Sequence, residues 1–155
     1  MKKLFLSLVV SCLFGRIWAQ DNNTFSVSFD HVALSVKDVD RSAKFYKDVL
    51  NLEEIDNRSK IPGIRWFLIG EGKELHLISI IKEEVTANKA VHFALKTPDI
   101  DRFVKKLESL GIPFSDWPGA PNKVTIRADG IKQIFFQDPD GYWIEVNSLE
   151  KVAGK

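Results

Sequence analysis

Three histidines occur in this chain of 155 residues, and two of them open the same motif. His31 begins HVALSVKDVDR and His92 begins HFALKTPDIDR. At a spacing of 61 residues the two stretches match His with His, Ala33 with Ala94, Leu34 with Leu95, Asp38 with Asp99, Asp40 with Asp101 and Arg41 with Arg102, which marks an internal repeat. The third histidine pairs with a carboxylate: Leu75-His76-Leu77 falls opposite Ile144-Glu145-Val146, 69 residues on, because the second copy has a longer loop. Neighbours in a strand point to opposite faces, so His76 and Glu145 each face away from their flanking aliphatics. Three imidazoles and one carboxylate suit a divalent first-row metal such as Zn, Ni, Co, Mn or Fe, and lack the all-oxygen character that favours Ca or Mg. Taken singly, a strand histidine is more often a satisfied core residue than a ligand. Two pairs in matching positions favour the ligand reading, and a domain this apolar needs no structural zinc to fold. If the copies pack by an approximate two-fold, His31, His76, His92 and Glu145 can converge on one concave sheet face.

The elements that must present these residues follow the repeat. In the first copy a strand over Phe29 to Val36 leads into a helix whose apolar face is Val39, Ala43, Tyr46, Val49 and Leu50, with Asp38 and Asp40 favouring its start. Strands follow at Leu52 to Arg58, Ile64 to Ile69 and Leu75 to Ile81, separated by Pro62-Gly63 and Gly70-Glu71-Gly72. The unit is therefore βαβββ. The second copy has a strand from Val91 to Lys96, Thr97 as N-cap with Pro98 at the first helical position, and a helix burying Ile100, Phe103, Val104, Leu107 and Leu110 before Gly111 stops it. Strands at Pro113 to Trp117, Val124 to Ala128 and Ile131 to Gln137 come next, with Asp129-Gly130 as a hairpin turn. Asp138-Pro139-Asp140-Gly141 forms a type I turn into a last strand, Tyr142 to Asn147. The second copy thus carries one strand more than the first.

Composition sets the class. With 45% apolar and 28% charged residues and a formal net charge of +1, the chain reads as one globular domain with a full core, and no basic patch suggests nucleic acid. Lys2 and Lys3, the apolar run from Leu4 to Phe14, and Ala19 before the polar Gln20-Asp21-Asn22-Asn23 have the layout of a secretory signal peptide over 1–19. The run is short of the roughly 20 apolar residues a spanning helix needs. The sole cysteine, Cys12, lies within this segment. Val9-Val10-Ser11-Cys12 faintly resembles a lipoprotein box, but the residues after Cys12 stay apolar where a lipoprotein turns polar. Cleavage near Ala19 leaves a cysteine-free protein, which rules out a thiol nucleophile or thiolate metal site. The expected organisation is a signal peptide over 1–19, a linker over 20–28, a domain over 29–148 with modules at about 29–81 and 90–148, and a tail over 149–155. The expected location is outside the cytoplasm.

The His-led repeat, the βαβββ plan used twice, the DPDGYWIEV ending and the metal-type residues at 31, 76, 92 and 145 together resemble the vicinal-oxygen-chelate superfamily. That superfamily includes glyoxalase I, methylmalonyl-CoA epimerase, extradiol dioxygenases and the fosfomycin- and bleomycin-resistance proteins. The resemblance covers about Phe29 to Ser148. It implies an α+β fold of two modules, with a cupped mixed sheet around one divalent metal, helices on the outer face, a small substrate that chelates the metal through neighbouring oxygens, and a homodimer. Similarity to glyoxalase I implies four ligands, His31, His76, His92 and Glu145, with Glu145 also moving a proton beside the chelated carbonyl. Bacterial glyoxalase I has Glu where this chain has His76, which removes one candidate base. Extradiol dioxygenases imply a smaller set, His31, His92 and Glu145. The fosfomycin transferases use those three with a Thr that is Ala33 here and a Tyr that is Phe135. Bleomycin-type binders hold no metal. An exported protein also lacks an obvious supply of the reduced thiol that a glutathione adduct requires. Among the residues walling the cup, Arg65 is the candidate for an anionic substrate group.

The leader generates the first prediction. The mature N-terminus should begin near Gln20, in protein recovered outside the cytoplasm. Intact-mass measurement checks it: a mass that retains Met1 to Ala19 rules out cleavage, and a lipid adduct on Cys12 establishes anchoring instead.

Overall fold

The computed structural model describes residues 26–152, so the expected signal peptide over 1–19 lies outside the described residues. The first copy folds as β1 (His31–Ser35), α1 (Val39–Leu50), β2 (Glu53–Ile55), β3 (Ile64–Gly70) and β4 (Lys73–Ile78). The second comprises β5 (His92–Thr97), α2 (Ile100–Ser109), β6 (Phe114–Ser115), β7 (Thr125–Ile126), β8 (Ile131–Gln137) and β9 (Trp143–Lys151). Each makes its own mixed sheet, in order β1-β4-β3-β2 and β5-β9-β8-β6, with the extra strand β7 pairing β8. This is an α+β fold with the duplicated βαβββ plan. Among the described residues no helix is long and apolar enough to cross a membrane.

Local chemistry explains the element ends. Asp38 caps α1 by accepting from the backbone N–H groups of Asp40 and Arg41, and Asn51 closes it in the left-handed region at φ 54°. Its equivalent, Asp99, caps α2 through the Arg102 N–H. The cap is therefore Asp99 and not Thr97: Asp99 itself still has non-helical backbone, at φ −136° and ψ 85°, and the helix opens only at Ile100. Several strands depart from their expected lengths, and β6 and β7 shrink to two residues each. β4 ends at Ile78, β2 is three residues long, and β9 runs on to Lys151, where it pairs with Ile131 past an irregularity in β8. At the Asp129-Gly130 turn, Gly130 has φ 86°, and a Cβ there would lie 3.3 Å from Lys151 Cβ, so glycine is needed both for its backbone and for the overhanging strand.

One core serves both units. Leu34, Phe67, Leu75 and Leu77 of the first sheet, Ala43, Tyr46 and Val49 of α1, and Ile134, Phe136, Ile144 and Val146 of the second sheet belong to one buried cluster. Phe45 of α1 and Phe103 of α2 both pack on Phe136, with ring centroids 6.3 and 5.8 Å away. Helix α1 therefore leans on the same side of the second sheet as α2. Strand alternation then fixes what the other side carries: His31, Ala33, Trp66, Glu74 and His76 on the first sheet, and His92, Ala94, Phe135 and Glu145 on the second.

The units are joined polar group to polar group at the 138–141 turn. Tyr46 Oη donates to Asp138 Oδ2 at 2.9 Å, Ser42 Oγ to Asp140 Oδ2 at 2.7 Å, the Lys37 N–H to Asp140 Oδ1 at 3.0 Å, and Tyr142 Oη to the Ser35 carbonyl at 2.9 Å. Asp138 also takes the Asp140 and Tyr142 N–H groups on Oδ1. Burial, opposed by the donors Tyr142 N–H, Tyr46 O–H and Asp140 N–H, holds the Asp138 carboxyl above its ordinary range, and burial raises the Tyr46 phenol well above its own. A raised folded-state pKa means that the folded protein binds the proton more tightly. Asp138's contribution is thus fully present below its unfolded value and is lost as pH rises through the folded value. Removing the phenol leaves a buried acceptor short of a donor. Tyr46→Phe should cost about 1–3 kcal/mol at neutral pH, read as a fall in Tm, and the deficit should shrink in acid, where Asp138 is protonated. An unchanged Tm at neutral pH would show that the bond contributes nothing.

Candidate metal and substrate site

The register bears directly on the two pairs. In the first sheet Ala33 lies opposite His76 on the parallel neighbour, and in the second Ala94 lies opposite Glu145. His76 and Glu145 are thus structural equivalents, as are His31 and His92. On the antiparallel side, Trp66 faces His76 and Phe135 faces Glu145.

In the first unit His31 and His76 stack with ring centroids 4.3 Å apart, and Trp66 stacks on the other face of His76 at 4.1 Å. The Arg58 guanidinium lies over Trp66 at 4.7 Å and bonds both Glu74 oxygens, at 2.8 and 3.0 Å. Glu74 Oε2 lies 2.8 Å from His76 Nε2, and Asp30 Oδ2 lies 2.7 Å from His31 Nδ1. The bonds from His76, then Arg58, hold the Glu74 carboxyl below its ordinary range. The outcome is a ladder of four flat groups edged by two carboxylates.

In the second unit His92 Nε2 lies 3.0 Å from Glu145 Oε2, while its Nδ1 is 2.7 Å from the Lys89 carbonyl. Glu145 is 6% exposed, and its Oε1 accepts from Asn147 Nδ2 and lies 3.8 Å from Arg127 Nη1. Phe135 meets the His92 ring edge-on at 5.4 Å. Lys89 Nζ reaches over Trp143 at 4.6 Å and donates to Ser115 Oγ and the Asp116 carbonyl, both at 2.9 Å. Asn147 Oδ1 and Thr125 Oγ1 are buried without a partner among the described residues.

Within one chain the four expected ligands stand as two separate pairs, His31 with His76 and His92 with Glu145. Among the described residues, no three His, Asp or Glu side chains come together as a metal-binding group. Each half nevertheless has a ligand's preparation. His31 and His92 are both engaged at Nδ1 by an acceptor, which orients each ring as metal-bound histidines are oriented, and His92 meets Glu145 through its Nε2. Arg65 joins neither pair. Its Nε and Nη2 bond Glu54 at 2.6 Å each and its Nη1 bonds Asp40 at 2.7 Å, on the side of β3 that faces α1 and away from Trp66. The expected substrate contact is instead an ion pair that ties β2, β3 and α1 together. Sequence reading missed Glu74, Asn147, Lys89 and Arg127. Glu74 and Asn147 each sit two residues from a candidate ligand on its own strand, so period-two alternation alone could have found them.

Comparison with known proteins agrees with the fold. The family model described as the Glyoxalase/Bleomycin resistance protein/Dioxygenase superfamily matches residues 28–146. The "Uncharacterized protein YwbC" of Bacillus subtilis (strain 168) is 30% identical over 122 residues, covering 75% of this chain and 93% of that protein. "Glyoxylase I 4" of Arabidopsis thaliana is 28% identical over 133 residues, covering 81% and 72%. Among solved structures, that of a lactoylglutathione lyase from Agrobacterium tumefaciens superposes with a TM-score of 0.61 at 23% identity, over 80% of this chain and 95% of the other. With its duplicated βαβββ fold and a family match running from just before β1 into β9, this chain belongs to the glyoxalase/bleomycin resistance/dioxygenase superfamily.

Proposed function

We propose that the protein is a metal-dependent lyase or isomerase of glyoxalase I type, acting outside the cytoplasm on a small oxygenated substrate. Its centre is assembled between two copies, from His31 and His76 of one and His92 and Glu145 of the other. The observation that carries this reading is the matched register of the two pairs, set on sheet faces that the helices leave open, while the pairs stay apart within one chain. An isologous pair of copies brings the first face of each chain against the second face of its partner, which makes two equal centres.

The donor set fits a divalent first-row ion. Bound there, the ion would supply Lewis-acid polarisation of a chelated carbonyl. The chain's own residues do the remaining work. The Asp30 carboxylate and the Lys89 carbonyl aim His31 and His92. Glu145 would take the proton next to the substrate carbonyl on Oε2 and return it to the neighbouring carbon, through an enediolate-like intermediate, while Asn147 and Arg127 hold Oε1. Trp66, Phe135 and Trp117 wall the cup against water. Ala33 and Phe135, in place of the Thr and Tyr of fosfomycin transferases, keep that chemistry a poorer match.

One observation favours a second reading, a three-ligand centre like that of an extradiol dioxygenase. His76 Nε2 is already engaged by Glu74, and its ring is sandwiched between His31 and Trp66, which would leave His31, His92 and Glu145 as the triad. Metal content separates the two. In the four-ligand centre His76→Ala weakens metal binding on the order of 10- to 100-fold, whereas Glu145→Gln lowers turnover by roughly 10²- to 10⁴-fold with a smaller loss of metal. Unchanged metal affinity in His76→Ala would reject the four-ligand centre and send the assay to oxygen uptake with catechols. Tight ligand binding without turnover across hemithioacetals, acyl-thioesters and catechols would point to a binding protein.

Assembly between copies has its own test. His31→Ala and His92→Ala, each deficient in metal, should on subunit exchange recover metal to about a quarter of the wild-type content, because half of randomly re-paired dimers carry one intact centre of two. No recovery after verified exchange would place the centre within one chain.

A further inference from the structure

We infer that a groove on the helix-bearing side of the protein, between the two units, binds an amphiphile with a carboxylate head and an aliphatic tail, of the medium-chain fatty-acid class. The cavity is about 770 Å³, within the range of small-molecule sites. Its floor is apolar: Leu50 at the end of α1 and Leu52 after it, Ile69 of β3, Leu95 of β5, Phe103 of α2 and Val146 of β9. Its rim is cationic, with Arg102, Lys105 and Lys106 of α2. Asp99 is the one acid among its lining residues, and its carboxylate is committed to capping α2. Lys106 Nζ donates to the neutral Asn51 Oδ1 at 2.8 Å, and Arg102 and Lys105 have no ion-pair partner among the described residues.

The repeat says what this rim lacks. Arg102 is the equivalent of Arg41, and at Arg41 the chain supplies its own acid: Asp140 lies 3.5 Å from the Arg41 guanidinium and accepts from Ser42 Oγ. The turn equivalent to 138–141 is Gly70-Glu71-Gly72 of the first copy; its Glu71 is exposed and does not line the groove beside Arg102. Phe103 stands where Ser42 stands, so the hydroxyl that meets Asp140 becomes part of an apolar floor. A ligand that fits must therefore bring one carboxylate to Arg102 and follow it with hydrocarbon over Phe103, Leu95 and Ile69. Ile69, Leu95 and Val146 alternate with the residues of the opposite face, so this groove does not share the face that carries His76 and Glu145.

The test is calorimetric titration of the full chain with decanoate below its micellar concentration. Saturable binding with one site per chain is expected, and the alcohol of the same chain length and Arg102→Glu should each weaken it at least about tenfold, the worth of a charge-assisted bond. Arg102→Lys should retain most of the affinity. Arg102 is an exposed helix residue, so loss of binding in Arg102→Glu is not loss of fold, and an unchanged Tm verifies this. Equal affinity in Arg102→Glu, or no saturable binding, overturns the proposal. Binding abolished by a metal chelator would place the carboxylate on the opposite face and overturn it too. So would Arg102→Glu shifting the monomer–dimer balance while decanoate binding stays the same, which assigns the groove to a second copy.

Discussion

The arrangement of this protein depends on two carboxylates in one tight turn. Asp138 and Asp140 leave the second sheet and dock on the first helix, one against a buried phenol and the other against a hydroxyl, a backbone amide and a guanidinium. Burying acids is costly unless each finds donors, and here the donors come from the other unit as well as from the turn itself. That demand decides which surfaces of the two units meet. Because Tyr46 and Ser42 lie on the buried stripe of α1, satisfying them against the turn presses α1 onto the helix-bearing side of the second sheet. The two histidine-bearing faces are left turned away from that contact.

This ordering of constraints separates packing from chemistry. The helix-side core is continuous across the units and nearly all aliphatic and aromatic, so it supplies stability without help from the concave faces. The concave faces are consequently spared from holding the fold together and can carry exposed or half-buried polar groups. His31, Glu74, His76, His92 and Arg127 all retain some access to solvent. Glu145 differs, as does its neighbour on that face, Asn147, which is equally buried. Glu145 is the residue with the most polar neighbours of its own on that face.

Much of this was legible before any coordinates. The two-residue period of a strand placed His76 and Glu145 on one face, and the 61-residue repeat placed His31 and His92 in equivalent positions, because both signals are local and need only backbone geometry. The cap of α2 was displaced by two residues, since Thr97 and Asp99 are both good cap residues and only the backbone shows at which of them the helix opens. The role of Arg65 was not legible. An arginine on a strand reads the same whether its partner is a substrate or a glutamate on the next strand, and Glu54 becomes a neighbour only once β2 and β3 pair. Nor could alternation show whether equivalent faces meet within a chain, because that is set by the 138–141 turn, a contact between residues about ninety positions apart in sequence.

That same distance bears on how the molecule comes apart. Each sheet closes using strands from its own copy of the repeat, so the contacts that build it are short-range in sequence beside the Tyr46–Asp138 bond, which spans 92 residues. Contacts of long sequence separation carry the larger loop-closure entropy and tend to form after local ones have condensed. The turn-to-helix clamp is thus placed to act late on the folding path. A bond made after the transition state slows unfolding more than it speeds folding. The feature that sets the geometry of the units is also suited to give the protein kinetic endurance.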